Sequence, residues 1–328
     1  MNGTLFLTRK EVGQLLNMEE CIDAVEQAFL HYAQGKAKLP EVVDIDAEDG
    51  AFHVKSAIDT SDRSYVAVKV NGNFPQNRSR HQLPTIQGVI LLYDGDTGFP
   101  LAIMDSIEIT VKRTGAATLL AAKYLARPDS SVVTICGCGN QGRISLEGLK
   151  HLFPIGKAFV YDIDEAAARS FAEQMTALLG IPVTQTSNLS DATKQSDIVV
   201  TCTPSRKPFL KQDDVKAGAF IAAVGADAHD KQELYPDLLR SSKIVVDILD
   251  QCITIGDLHH AVRDGVVSRE DVYAEIGEII AGKKPGRTSN EEIIVFDSTG
   301  TALQDVAAAA RVFEKATSAG IGTHITLA

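Results

Sequence analysis

The sequence predicts an α/β protein: a doubly wound parallel sheet inserted in a smaller α+β domain. Three observations predict it. From 132 onward, short apolar strands alternate with helix-patterned stretches, as in a parallel sheet covered on both faces. Between 39 and 93, strand follows strand with turn signals between them. The tail from 301 to 313 is helical and too alanine-rich and apolar to be left in solvent, so it should pack back on the first part of the chain.

In order, a short strand opens the chain. Thr8, with Glu11 three residues on, has the spacing of a capping box ahead of Val12, Leu15 and Leu16. A second helix is expected over 18–34, where Cys21, Ala24, Val25, Ala28, Phe29 and Tyr32 recur at helical spacing. Strands are expected at 42–45, 51–54, 65–70 and 85–93, a turn at 94–98 and another short strand at 100–104. A helix rich in small residues covers 106–125. After it come strands at 132–136, 158–161, 182–185, 198–202, 220–224 and 244–246, with helices at 141–151, 165–179 and 189–194 between them.

With 328 residues the chain suits two domains, and 45% hydrophobic against 23% charged residues is a globular profile. The net charge of −11 argues against nucleic acid, which needs a basic face. No stretch approaches the roughly 18 apolar residues of a membrane span, and no secretory leader is visible, so a cytoplasmic location is expected. The five scattered cysteines (Cys21, Cys136, Cys138, Cys202, Cys252) are read as reduced thiols, with no disulfide or metal role.

The chemistry concentrates in a few places. An apolar strand enters Gly137-Cys138-Gly139-Asn140-Gln141-Gly142 and an amphipathic helix leaves it, the context of a Rossmann dinucleotide turn. Gly137 permits the turn, Gly139 lets backbone approach a pyrophosphate, and Gly142 lets the helix sit close to the sheet. Asp162, about 20 residues past the motif, suits both ribose hydroxyls of an adenosine, and no basic residue follows it, so NAD is expected rather than NADP. Lys69 interrupts the apolar strand Val66-Ala67-Val68-Lys69-Val70, and Arg113 interrupts an apolar helix; together they read as a clamp for a substrate carboxylate. Asp227 follows a strand at the carboxyl edge of the parallel sheet, where a carboxylate can exchange protons beside a nicotinamide. His229 is a rival proton carrier by type, but a solvated loop histidine is the preferred reading.

In order along the chain, V-K-V-N-G around Lys69, K-R-T-G-A-A around Arg113, G-C-G-N-Q-G, Y-D-I-D around Asp162, A-V-G-A-D with K-Q-E-L, and F-D-S-T-G resemble the ornithine cyclodeaminase/mu-crystallin family. The half from Gly137 onward is similar to the family's archaeal alanine dehydrogenase-like members, notably at 203–208 and at Asp-Ser-Thr-Gly with Gln304-Asp305. The resemblance implies a substrate-binding and dimerisation domain (1–118 plus 302–328), an NAD-binding domain (119–301), and a homodimer formed through strands of the first. It implies that Lys69 and Arg113 hold the substrate carboxylate, that Asp227 is the catalytic acid/base with Lys69 beside it, and that Thr299 touches substrate. Thr85, Arg113, Asn140, Gln141, Asp162, Thr203, Val224, Gly225, Lys231 and Ser298 would join the loop glycines in lining NAD. The implied reaction passes a hydride between nicotinamide and the α-carbon of a small 2-amino acid or its imine, as in alanine dehydrogenase or a ketimine reductase. Ornithine cyclodeamination to proline and ammonia is the alternative within the family, and a non-catalytic ligand-binding protein of mu-crystallin type is the alternative of another class.

The chain departs from the family pattern at two places. Leu39-Pro40-Glu41 stands where many members carry a basic residue after the proline, and His53-Val54-Lys55-Ser56-Ala57 stands where they carry Arg or Glu and then Met-Pro-Ala. His53 and Lys55 share a strand face by their spacing. Either they shape the substrate pocket toward an anionic or small substrate, or they belong to the exposed face of an edge strand.

Overall fold

A computed structural model describes residues 3–40 and 42–326; the departure at Glu41 lies outside the described residues. The chain opens with β1 (Thr4–Leu7), α1 (Arg9–Leu15), α2 (Met18–Ala33), β2 (Ala37–Lys38), β3 (Val43–Ala47), β4 (Gly50–Asp59) and β5 (Tyr65–Asn73). It continues through α3 (Asn77–His81), β6 (Ile86–Asp94), β7 (Pro100–Asp105), α4 (Ser106–Leu125), β8 (Val132–Cys136), α5 (Asn140–Leu152), β9 (Lys157–Tyr161), α6 (Glu165–Leu179) and β10 (Val183–Gln185). Then come α7 (Leu189–Thr193), β11 (Ile198–Thr201), β12 (Arg206–Leu210), β13 (Phe220–Ala223), β14 (Gln232–Leu234), α8 (Pro236–Arg240), β15 (Lys243–Val246), α9 (Leu249–Cys252) and α10 (Asp257–Arg263). The last elements are β16 (Val272–Glu275), α11 (Ile276–Ile280), β17 (Ile294–Asp297), α12 (Ala302–Ala319) and β18 (Thr323–Ile325). The chain divides into two compact units, Met1–Ala116 with Thr301–Ala328, and Ala117–Gly300.

The first unit is built on one sheet of order β18-β1-β7-β6-β5-β4-β2, with β3 also on β4. Its pairs are antiparallel except β1 with β7. The expected capping box is present, Thr8 with Glu11 opening α1, and a second one, Asn17 with Glu20, opens α2. The inner face carries Ala57, Ala67, Leu92 and Ala102 in one cross-strand row, all buried. Helix α12 packs on α2, β4 and β5, and the alanines of its apolar stripe, Ala308, Ala309 and Ala316, are buried there. The outer face is apolar as well: Val43, Val54, Val70 and Val89 form a continuous cross-strand row.

The second unit is built on a parallel sheet of order β10-β9-β8-β11-β13-β17-β15-β16. The order reverses between β8 and β11, the crevice where such folds take ligands. Two strands extend the sequence expectation. β17 inserts between β13 and β15, and β16 closes the edge beside β15. β17 has only four residues, all buried, too short to show a period, so its apolar run was visible only as part of a motif. A small parallel ribbon of β12 and β14 lies off the main sheet. No helix among the described residues is long and apolar enough to cross a membrane.

Candidate active-site residues

In the second unit, Gly137 turns the chain out of β8 at φ +108°, and a Cβ there would lie 2.8 Å from the carbonyl oxygen of Cys202. Only glycine fits both demands. A Cβ on Gly142 would run into the carbonyl oxygen of Gly137, so close packing of helix and turn explains the third glycine. Gly139 is different: a Cβ there would meet no atom within 4 Å. Protein packing does not demand a glycine at that position, whereas the close approach of a phosphate does. The first turn of α5 also has no side-chain cap, which leaves its amides to an anion. Asn140 and Gln141 stand in this first turn, Asn140 exposed and Gln141 half-buried.

Asp162 directly follows β9, with its carboxylate at the same loop. Oδ2 accepts the Cys138 N–H at 2.8 Å and Oδ1 accepts the Asp164 N–H at 3.0 Å. These features fit an adenine dinucleotide: an uncapped helix start for pyrophosphate and a carboxylate one strand over for ribose hydroxyls. The five thiols are free; those of Cys136 and Cys202 are pushed up by burial, as is Cys138, to about 12. They are therefore packing groups rather than nucleophiles.

Thr203 lies in the loop after β11, and Val224 and Gly225 in the loop after β13. One fully buried carboxylate, Glu233 on β14, binds both loops: it accepts from Thr203 and from the Gly225 N–H. A Cβ on Gly225 would lie 2.5 Å from the Thr203 carbonyl oxygen, so the two loops approach through the glycine. Beyond it, Asp227 is exposed and paired with Lys231 at 2.5 Å. His229 is exposed too.

Ser298 and Thr299 follow β17, buried. Asp247, at the end of β15, accepts the Ser298 hydroxyl at 3.0 Å and the Gly300 N–H at 2.9 Å through Oδ2, and the Thr299 hydroxyl at 3.3 Å through Oδ1. The sequence reading did not single out Glu233 or Asp247. Their signal was a carboxylate beside or directly after a short apolar strand, Gln232-Glu233-Leu234 and Val245-Val246-Asp247.

In the first unit, Lys69 on β5 and Arg113 on α4 are buried, at 3% and 5% exposure. Asp305 on α12 joins them: Oδ2 lies 2.5 Å from the Lys69 ammonium and Oδ1 accepts Arg113 Nε–H at 3.1 Å. Gln304 accepts from Arg113 Nη1 at 2.8 Å. Burial works against the Asp305 carboxylate, but Lys69 and Arg113 outweigh it and hold its pKa below the ordinary value. Burial likewise depresses Lys69, to about 7; Asp305 pulls it up, and Arg113 and Lys55 press it further down. Asp305 and Gln304 had entered the sequence reading only as part of a motif, although an acid inside Ala-Leu-Gln-Asp-Val-Ala-Ala is itself a signal.

Lys55 does not lie on an exposed edge. It sits on β4 with β5 on one side, and it is buried. His53 shares its face, opposite Asn71, but is half-buried and held by Asp44, its Nδ1 2.6 Å from Oδ1. Thr85 belongs to this unit, just before β6, and its carbonyl accepts the Phe74 N–H at 2.8 Å. The described residues contain no cluster of three His, Cys, Asp or Glu able to hold a metal ion.

A sequence model described as "Ornithine cyclodeaminase/mu-crystallin family" matches residues 2–320. An alanine dehydrogenase of Archaeoglobus fulgidus is 44% identical over 322 residues, with 98% of each chain covered. An archaeal alanine dehydrogenase dimer with bound NAD superposes with a TM-score of 0.94 at 44% identity, covering 99% of each chain. The Δ1-pyrroline-2-carboxylate reductase of Thermococcus litoralis, in complex with NADH and L-proline, gives 0.92 at 38% identity, covering 98% of this chain and all (100%) of its own. With the family's motifs spread over both units, the chain belongs to the ornithine cyclodeaminase/mu-crystallin family.

Proposed function

We propose that this protein is an NAD-dependent oxidoreductase that moves a hydride between nicotinamide and the α-carbon of a small 2-amino acid or its imine. The observation that carries this reading is the buried pair of cations Lys69 and Arg113, bridged by the single carboxylate Asp305. Two buried cations around one carboxylate among the described residues suit an anionic ligand, and a carboxylate beside the reacting carbon supplies one. The unit bearing Gly137 is the cofactor domain, and the unit bearing Lys69 is the substrate domain.

Gly137, Gly139, Asn140, Gln141 and Gly142 would hold the pyrophosphate of NAD and Asp162 its adenosine ribose. Thr203, Val224, Gly225, Lys231, Ser298, Thr85 and Arg113 are proposed for the remainder. The cofactor, when bound, supplies the hydride donor and acceptor at its nicotinamide. Lys69 and Arg113 fix the substrate carboxylate, Thr299 and Lys55 shape the site, and Asp227 gives or takes the proton at the substrate nitrogen or its attacking water. His53 is proposed only at the margin, since Asp44 already engages it.

A homodimer is proposed through the first unit's sheet. Its outer face exposes Val43 at 53%, Ile45 at 52% and Val89 at 41% beside Phe52, an apolar patch that a second copy would cover. A cytoplasmic site of action is proposed on the five free thiols.

The test is NADH oxidation by the purified protein against a panel of 2-oxo acids with ammonium, cyclic imines, and L-ornithine. Stoichiometric NADH loss with an oxo acid or imine supports the reading. Ornithine consumed without net NADH change assigns cyclodeamination instead. NADH binding with turnover of none of the panel assigns a ligand-binding role.

A further inference from the structure

Thr301-Ala302-Leu303-Gln304 opens α12 with the spacing of a capping box, Thr at the N-cap and Gln three residues on. The box is not closed, because the Thr301 side chain makes no cap hydrogen bond. The boxes that open α1 and α2 in the same unit both close. Gln304 is committed elsewhere: its Oε1 accepts from Arg113 Nη1 at 2.8 Å. A guanidinium can only donate, so the amide oxygen must face it and the NH2 group must point away. Thr301 and Gln304 are fully buried, at 0% exposure. Neither Thr301 Oγ1 nor Gln304 Nε2 has a hydrogen-bond partner among the described residues. Both belong to the first turn of an 18-residue helix, and with Lys69, Arg113 and Asp305 they lie in the first unit.

We propose that the first turn of α12 is a direct part of the substrate-carboxylate site, with the Gln304 amide N–H and the Thr301 hydroxyl donating to the carboxylate that Lys69 and Arg113 hold. This rests on the amino-acid oxidoreductase reading above. A buried donor left without an acceptor costs free energy, and two of them within one helical turn are satisfied together by one acceptor-only group. A carboxylate is such a group, with two oxygens and no proton to place. The surroundings select an anion over a neutral carbonyl. A helix start carries partial positive charge and free amides. The next residue along, Asp305, is where Lys69 and Arg113 converge. Arg113 polarises the Gln304 amide through Oε1, which strengthens its N–H as a donor. Glutamine is the residue type that serves both partners: it ties the guanidinium as a carboxylate would, without repelling the carboxylate of a ligand.

The experiment compares the wild type with Gln304→Glu, Thr301→Val and Thr301→Ser. Each is assayed for NADH oxidation with whichever substrate the wild type turns over fastest: pyruvate or 2-oxobutyrate with ammonium, or a cyclic 2-imino acid. NADH affinity is read separately by fluorescence titration. Gln304→Glu keeps an oxygen acceptor for Arg113, so that pairing stays, but it replaces the donor with a negative charge. Its KM for the acid should rise by on the order of 10- to 100-fold, with a smaller change in kcat and an unchanged NADH Kd. Thr301→Val should raise the same KM by about 10-fold, and Thr301→Ser, which keeps the hydroxyl, should restore it. A KM in Gln304→Glu within about 3-fold of wild type, or an effect confined to NADH affinity, overturns the carboxylate assignment and leaves the oxidoreductase standing. If Gln304→Glu does not fold, the Thr301 pair decides alone: a valine variant with the wild-type KM overturns the site. Turnover of none of these acids by the wild type overturns the underlying function instead.

Discussion

Oε1 of Glu233 accepts both the backbone N–H and the hydroxyl of Thr203, at 2.6 and 2.7 Å. Its other oxygen takes the Gly225 N–H at 3.0 Å. A fully buried carboxylate thus ties together the loops that follow two adjacent parallel strands, β11 and β13. Glu233 is fixed in turn, because its own N–H and that of Leu234 go to Oδ1 of Asp257, each at 2.7 Å. Burial pushes the Glu233 carboxyl up while the donors from Thr203 and Gly225 oppose that shift.

Glu233→Gln keeps the shape but replaces one acceptor oxygen with a donor. Either the Thr203 or the Gly225 N–H then faces an NH2 group, at a cost of about 1–3 kcal/mol. If those loops line the cofactor, NADH affinity should fall by on the order of 10-fold, read by fluorescence titration, with the far-UV circular dichroism unchanged. An unaltered Kd would mean that Thr203 and Gly225 do not depend on Glu233 for their placement.

Asp227 is exposed and its charge is met by Lys231. That arrangement suits a carboxylate that exchanges a proton with a reacting nitrogen. Asp227→Asn removes the proton acceptor without changing size, so kcat should drop by on the order of 10²- to 10⁴-fold. NADH titration of the same variant should stay within a few-fold of wild type. A kcat within about 3-fold of wild type would move the acid/base role to another group.

Lys69 sets a pH dependence whose sign can be worked out. Burial lowers its pKa from 10.5 to about 7, so the folded state holds fewer protons than the unfolded chain between those values. This group's contribution to stability therefore rises with pH from about 7 toward 10.5. Substrate capture runs the other way, since a carboxylate is held by the ammonium. The kcat/KM of the wild type should fall above an apparent pKa near 7, and that limb should vanish from the residual activity of Lys69→Met. A profile flat from pH 6 to about 9 would contradict a role for the Lys69 charge in binding.

How much of this was legible follows from what sequence patterns record. The strand–turn–helix at Gly137 declares itself because glycine spacing, apolar strand and amphipathic helix coincide locally. Lys69 and Arg113 declare themselves because each breaks an apolar pattern. Asp305 breaks an apolar pattern as well, but nothing local ties it to Lys69 and Arg113, which lie far away in the sequence and come within 3.1 Å of it only on folding. The same holds for Asp247, which meets Ser298 across two adjacent strands 51 positions apart. Periodicity also misleads in β5, where Val66, Val68 and Val70 make the outer face as apolar as the inner one. A strand that packs on a core with one side and carries valines on the other shows no polar alternation.

The buried carboxyls of Asp257 and Asp297 give the last prediction. Asp257 Oδ2 and Asp297 Oδ1 are buried and have no hydrogen-bond partner among the described residues. Burial, and then the nearby Glu233, pushes Asp257 up to about 8, and burial with the Asp257 charge pushes Asp297 up as well. The folded state thus holds a proton here that the unfolded chain releases near 3.8. The stability this supplies is present in full below about 4 and is lost progressively up to about 8. Asp257→Asn keeps the Oδ1 acceptor for the Glu233 and Leu234 amides and never ionises. Its NH2 can donate where Oδ2 stood. The variant should lose part of the wild type's decline in stability between pH 6 and 8, and at pH 8 it should be more stable by on the order of 1 kcal/mol. Urea unfolding across that range decides the matter: parallel curves for the two proteins would place the proton elsewhere in the cluster.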